Sequence, residues 1–153
     1  MFITQLTWIC KPFDALTPRE LYAAMQLRVE VFVLEQNAPF QDADNKDQPS
    51  HHLLGFDGDK LLVYARLVPA GVSYPGHISI GRIITAPEVR GKGLGKVLVQ
   101  RSIDECNRIF GEQTIKIGAQ ARLERFYNEF GWVKSSEVYI EDGIDHFEMT
   151  RIV

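Results

Sequence analysis

Cysteine is scarce in this sequence: Cys10 and Cys106 stand far apart, with no C-x-x-C pair and no Cys/His cluster. That argues against a disulfide scaffold or a thiolate metal site, and two reduced, packed thiols in a cytoplasmic protein are expected. No apolar run approaches the roughly 18–20 residues of a membrane span. Met1 to Cys10 has neither the basic start nor the apolar stretch of a secretory signal, so no membrane partner is expected. Basic residues are not in excess either: 17 Lys and Arg against 20 Asp and Glu give a net charge of −3. A nucleic-acid reader resting on a broad basic face is disfavoured. Repeats, low-complexity tracts and long linkers are missing too. What is there is 153 residues, 45% hydrophobic and 24% charged. That suffices for one domain over residues 1–153 with a mixed core and no metal or disulfide staple.

Apolar spacing sets out the elements. Thr7 to Cys10 alternates weakly and predicts a first strand. Thr17-Pro18-Arg19-Glu20 is a helix start on two counts. Thr17 caps while Glu20 reaches back, and Pro18 gives up an N–H that has no partner at the first helical position. Leu21, Ala24, Leu27, Val31 and Phe32 carry the helical period to about Leu34. Gln36 to Ser50, with Pro39 and Pro49, reads as a polar loop holding Asp42, Asp44 and Asp47. His52 to Phe56 and Lys60 to Val68 are strands joined at Asp57-Gly58-Asp59, and His77 to Thr85 is a third. Leu94 to Phe110 is helical up to Gly111, with Leu98, Val99, Ile103 and Cys106 on one face. A strand at Thr114 to Gly118, a short helix at Leu123 to Phe130, and a hairpin over Val138 to Ile152 about Asp142-Gly143 follow. Strand, helix, three strands, helix, strand, helix, two strands is an α+β sheet domain with crossover helices.

The most informative stretch runs from Ile83 to Lys96: a strand, a turn with Gly91, Gly93 and Gly95 at alternate positions, then a helix at once. Free N–H groups at a helix start point at an anion, and glycine lets backbone approach closely. Arg90, Lys92 and Lys96 add positive charge within the same few residues. Together they describe a phosphate cradle; a turn that only connects strand to helix is the plain alternative. A Walker loop needs Gly where Arg90 stands and Ser or Thr where Val97 stands. A dinucleotide fingerprint from Gly91 needs a third Gly where Lys96 stands, so a nucleotide binder of either kind is disfavoured.

The spacing Arg90-x-x-Gly93-x-Gly95 after a strand resembles the coenzyme A signature of the GNAT acetyltransferases. Gln120 to Trp132 is similar to that family's second motif, with Gln120 where Asn is usual, Leu123 where Ala is common, then Tyr127 and Gly131-Trp132. Leu27-Arg28, Val31-Phe32-Val33, Glu35-Gln36, His52 to Gly55, Tyr64-Ala65-Arg66 and Asp142-Gly143 with His146 resemble the ElaA-type branch. That branch often carries Cys-Pro where Ala38-Pro39 stands, so no thiol role carries over. The resemblance spans nearly the whole chain. It implies the GNAT fold, a mixed, mostly antiparallel sheet flanked by helices, and acetyl transfer from acetyl-CoA to a primary amine with no metal.

The same resemblance implies roles. Ile83, Ile84 and Thr85 hold the pantetheine amides through their backbone, and Arg90, Gly91, Lys92, Gly93, Leu94, Gly95 and Lys96 wrap the pyrophosphate. Gln120 takes the place of the motif's Asn beside the cofactor. The Ile83 N–H faces the thioester carbonyl, where a preorganised donor is worth several kcal/mol to a developing oxyanion. The amine attacks directly, so no Ser or Cys nucleophile is needed. Tyr127 falls where the family's general acid sits; the other reading packs it with Phe126, Phe130 and Trp132.

Other residues keep two readings each. His146, on the face opposite Phe147 and Met149, either borders the acceptor pocket or bonds structurally, and Glu35 with Gln36 either meets substrate or is surface. The Asp42, Asp44 and Asp47 loop either draws in a cationic amine or is a solvated acidic loop. Arg66 and Arg82, within strands, are expected to pair with carboxylates. The reading reached is an N-acetyltransferase of a small-molecule or peptide amine, monomeric or homodimeric. Its rival from another class is a catalytically silent acyl-CoA-binding module on the same fold.

Overall fold

The computed structural model of the chain describes residues 5–153. The strand β1 (Thr7–Pro12) leads to the helix α1 (Pro18–Arg28), and the cap works from both sides. The Glu20 N–H donates to Thr17 Oγ1 at 3.1 Å and the Thr17 N–H to Glu20 Oε1 at 2.8 Å. The helical period continues to Glu35, but past Arg28 the winding widens into a π-helical segment, Val29–Glu35. That segment turns Val31, Phe32 and Glu35 toward the fourth strand.

The strands β2 (His51–Asp57), β3 (Lys60–Val68) and β4 (Ser79–Thr85) join β1 in an antiparallel sheet of order β1-β2-β3-β4. The helix α2 (Leu94–Phe110) buries Leu94, Leu98, Val99, Ile103 and Cys106. After it come β5 (Ile115–Gln120), α3 (Glu124–Asn128), β6 (Trp132–Lys134), β7 (Tyr139–Glu141) and β8 (Ile144–Arg151). In this second sheet β8 is central, with β5 along one edge and β6 then β7 along the other. The strand β6 corrects the expected order, which ended on two strands. Three residues are too few to show an alternation, and what fixes β6 is tertiary: fully buried Trp132 donates its Nε1–H to the Ile115 carbonyl at 3.1 Å.

The sheets touch where Ile78 bridges Ile115 in parallel and the Lys116 N–H donates to the Ile78 carbonyl at 3.1 Å. Beyond that point β4 and β5 share no ladder, and a cleft opens between them. Beside it β4 carries a bulge: Tyr64 pairs with Ile84 and Arg66 with Gly81, so Arg82 and Ile83 together stand opposite Ala65. Arg82 takes the left-handed conformation there, with φ of 49°.

The loop of aspartates is neither a solvated patch nor a lure for amines. Asp42 and Asp47 are buried among three arginines. Arg28 donates Nε–H to Asp42 Oδ2 and Nη1–H to Asp47 Oδ1, each at 2.7 Å. Arg66 donates to Asp44 and Asp47 at 2.8 Å, and Arg82 to Asp42 at 2.7 Å and Asp44 at 3.3 Å. Three cations balance three anions, which is what burying charge requires. Cys10 and Cys106 are free thiols whose burial pushes both up to about 12, so neither is a ready nucleophile.

Candidate active site

The cleft between β4 and β5 encloses about 530 Å³. Its walls are Ile80 to Thr85 of β4, Ile117 to Gln120 of β5, Phe32 and Glu35 of the π-helical segment, and Phe40. Arg90, Arg122 and Tyr127 stand along it, and Glu141 and His146 reach it from the last hairpin. Ile83, Ile84, Thr85, Arg90, Gln120, Tyr127, Glu35 and His146 are therefore brought to one place. Gly91, Lys92, Gly93, Leu94, Gly95 and Lys96 do not line it, and the Leu94 side chain is core, which leaves only its backbone for a ligand.

The rest of the glycine turn continues past Arg90 as the entrance to α2. Gly91 and Gly93 have φ of 79° and 82°, and a Cβ added at either meets nothing within 4 Å. Gly93 is the N-cap of α2 and supplies no side-chain cap. The first N–H groups of a 17-residue helix thus have no side-chain cap, and Arg90, Lys92 and Lys96 lie within the same few residues. A helix start of this kind, with its dipole and free N–H groups, favours an anion.

Arg90 is engaged at the cleft mouth. Its Nη1 and Nη2 donate to the two oxygens of Glu35, each at 2.6 Å. The bidentate bond holds the Glu35 carboxyl below its usual range and raises Arg90. Lys96 pairs with Glu129 at 3.1 Å. Tyr127 sits deep in the cleft, edge-on to Phe126 at 5.2 Å and Trp132 at 5.9 Å between ring centres. Burial pushes its hydroxyl up to about 12, so the proton stays on and is available to donate. Tyr127 packs with its aromatic neighbours and also lines the cleft.

The family model of the acetyltransferase (GNAT) domain matches residues 19–153. The chain belongs to the GNAT acetyltransferase family. It is 39% identical to protein ElaA of Escherichia coli over 150 residues, 97% of each chain. Among solved structures it superposes on an acyl-CoA N-acyltransferase from Pseudomonas aeruginosa with a TM-score of 0.92, at 40% identity and covering 96% and 99% of the two chains. With E. coli ElaA the TM-score is 0.90 at 36% identity, covering 96% and 99%. The GNAT family is one of acyl-CoA-dependent acyl transfer, and its fold of antiparallel strands flanked by helices is the one described above.

In this GNAT chain the geometry adds residues that sequence reasoning passed over. Arg122 lies inside the second motif, between Gln120 and Tyr127, and its signal was hidden by the motif's better-marked positions. Glu141, next to the Asp142-Gly143 turn, and Phe40, after Pro39, reach the cleft through loop geometry that no periodicity announces. Among the described residues no helix is long and apolar enough to cross a membrane.

Proposed function

We propose that the chain is an N-acetyltransferase that moves the acetyl group of acetyl-CoA to a primary amine by direct attack in a ternary complex. The observation that carries this is the cleft itself, which runs from Arg90, on the turn before α2, past the bulge at Arg82 and Ile83, to Tyr127. The residues fit coenzyme A: the open space before Gly91 and Gly93 leaves room for a pyrophosphate against bare backbone. Backbone N–H groups from Gly91 to Lys96, with the Arg90 and Lys92 charges, would hold the phosphates. Ile83, Ile84 and Thr85 offer backbone to the pantetheine arm, with Gln120 across the cleft.

When bound, acetyl-CoA supplies a thioester carbonyl open to attack. The Ile83 N–H, taken out of one-to-one pairing by the bulge, is the donor we assign to the developing oxyanion. Tyr127 gives its proton to the departing sulfur. Glu35 and His146 border the acceptor, a small-molecule or peptide amine. Because Tyr127 lies within the cleft, turnover is favoured over a silent binding module. The test is calorimetry with coenzyme A, followed by coenzyme A release from acetyl-CoA across a panel of amines and lysyl peptides. Binding with turnover is expected. Binding without turnover on any amine leaves only the module, and no heat at millimolar coenzyme A removes both.

A further inference from the structure

The second sheet has two faces, and the cleft connects them. Residues paired across an antiparallel ladder share a face. Ile117 with Met149 and Ala119 with Phe147 make the buried one; Gly118 with Glu148 and Gln120 with His146 make the other. Trp132 pairs with Arg151, two residues beyond Met149, so Tyr127, packed on Trp132, belongs to the buried face. His146 enters the cleft from the opposite side.

His146 is only 8% exposed, and its imidazole is oriented. Its Nδ1 lies 2.8 Å from the Ile144 carbonyl, so Nδ1–H donates there and Nε2 keeps its lone pair. Tyr139 stacks on the ring at 6.0 Å and 20°. Glu141 Oε2 is 3.7 Å from Nε2, beyond a hydrogen bond. His52 shows what a structural histidine looks like in the same chain. Both its nitrogens are bonded, Nδ1 to the Tyr64 hydroxyl at 2.6 Å and Nε2 to the Asp47 carbonyl at 2.8 Å. His146 differs in the one respect that matters, a basic nitrogen left for the cleft.

We propose that His146 accepts the proton of the acceptor amine, on the side of the cleft opposite Tyr127, with the Glu141 carboxylate beside it drawing the ammonium in. This rests on the acetyltransferase reading above. On the His146 face of the sheet stand Tyr139 and Glu141 of β7, Glu148 of β8, and Lys116 and Gln120 of β5, with Tyr74 of the loop after β3 over Gly118. The Tyr74 and Tyr139 hydroxyls meet over Gly118, and Lys116 is already paired with Glu148 at 3.4 Å. Aromatic rings and a spare carboxylate suit an acceptor that arrives as an ammonium. It sheds one proton to solvent through Nε2. As the neutral amine attacks, the C–N bond forms and the C–S bond breaks. Nε2 takes the nitrogen's second proton, and the Tyr127 hydroxyl proton goes to sulfur. Solvent then removes the first and restores the second.

The experiment uses the full chain saturated with coenzyme A and three probes: 1,4-diaminobutane, 2-phenylethylamine and a lysyl tripeptide. One histidine ring signal in the NMR spectrum should move on adding amine, and it is the signal missing from His146→Gln. With acetyl-CoA, His146→Gln should lower kcat by about a hundredfold, leave coenzyme A affinity unchanged, and erase the acid limb of the pH–rate profile. Glu141→Gln should raise the Michaelis constant for the amine and leave kcat nearly unchanged, since a carboxylate that draws in the ammonium is lost. A limb that survives in His146→Gln, or a His146 signal unmoved by an amine that turns over or by all three probes, overturns the proposal. Failure of the underlying reading looks different: the wild type gives no heat with coenzyme A, and the inference falls with it.

Discussion

Arg82, in the left-handed conformation at the β4 bulge, donates its Nε–H to Asp42 at 2.7 Å, while Arg28 donates to the other oxygen of the same carboxylate at 2.7 Å. One aspartate thus ties the end of α1 to the strand that walls the cleft. Both Arg28 and Asp42 are almost wholly shielded, with side chains 1% and 3% exposed. Removing one partner of a buried pair leaves the other charge uncompensated and costs about 3–5 kcal/mol. Asp42→Asn should therefore lower the unfolding free energy by about 3 kcal/mol or more, read from urea denaturation. An unchanged midpoint would mean the cluster contributes nothing to the fold.

The same cluster sets an acid limit. Burial works against the Asp44 charge, but Arg66 above all, with Arg82 beyond, carries its carboxyl down to about 2 from an ordinary 3.8. Asp47 is held low against burial by Arg28 and Arg66. Both carboxyls bind protons more tightly in the unfolded chain. The stability they lend is full above about pH 4 and is lost as the pH falls toward 2. Burial holds the His52 imidazole below its ordinary 6.5, so its share starts to go below that pH. Urea midpoints taken from pH 7.5 to 2.5 should fall first gently and then steeply. A flat profile down to pH 3 would contradict this account.

Much of this was legible beforehand because local chemistry decided it. Thr17 and Glu20 cap each other whatever lies around them, and Gly111 ends α2 where expected. The glycine turn from Gly91 to Gly95 and the start of α2 were legible for the same reason, since they are one turn and one helix start. What escaped is non-local. Asp42, Asp44 and Asp47 look like a wet loop in sequence, and only the fold brings Arg28, Arg66 and Arg82 to them from 14 to 40 residues away. Glu35 and Arg90 meet across 55 residues. Three-residue β6 exists because Trp132 is buried. The bulge at Arg82 and Ile83 comes from strand register, and an arginine with positive φ gives no warning of itself.

The Glu35–Arg90 pair predicts a modest gain of function. Arg90 can turn to a phosphate only by leaving Glu35, and a half-exposed bidentate pair is a weak competitor. Exposed pairs are worth about 0.2–1 kcal/mol, so Glu35→Gln should tighten coenzyme A binding about two- to fivefold. The gain should shrink at high salt. Equal affinities by calorimetry at low salt would place Arg90 outside the phosphate site.

Gly93→Asp tests the cradle without dismantling the fold. Position 93 has φ of 82° and nothing within 4 Å of a new Cβ. Aspartate tolerates the left-handed region, so the strain is on the order of 1 kcal/mol. Its carboxylate would stand where the pyrophosphate is expected, at the start of α2. Coenzyme A binding should be lost while the thermal midpoint moves only a few degrees. Retained binding would mean that the glycine turn merely connects β4 to α2.

Tyr127→Phe separates the two things Tyr127 does. The ring keeps its edge-on contacts with Phe126 and Trp132 at 5.2 and 5.9 Å, so packing and coenzyme A affinity should hold. Only the hydroxyl goes, and with it the proton that burial keeps in place up to about pH 12. General acid catalysis is typically worth about a hundredfold or more. The fall should appear in kcat, with the Michaelis constant for acetyl-CoA little changed. It should shrink for acyl donors whose leaving thiol is more acidic than coenzyme A, because a better leaving group needs less help from a proton. An equal loss for every donor would mean that the hydroxyl acts on something other than the departing sulfur. No loss at all, where the chemical step limits turnover, would leave Tyr127 as packing alone.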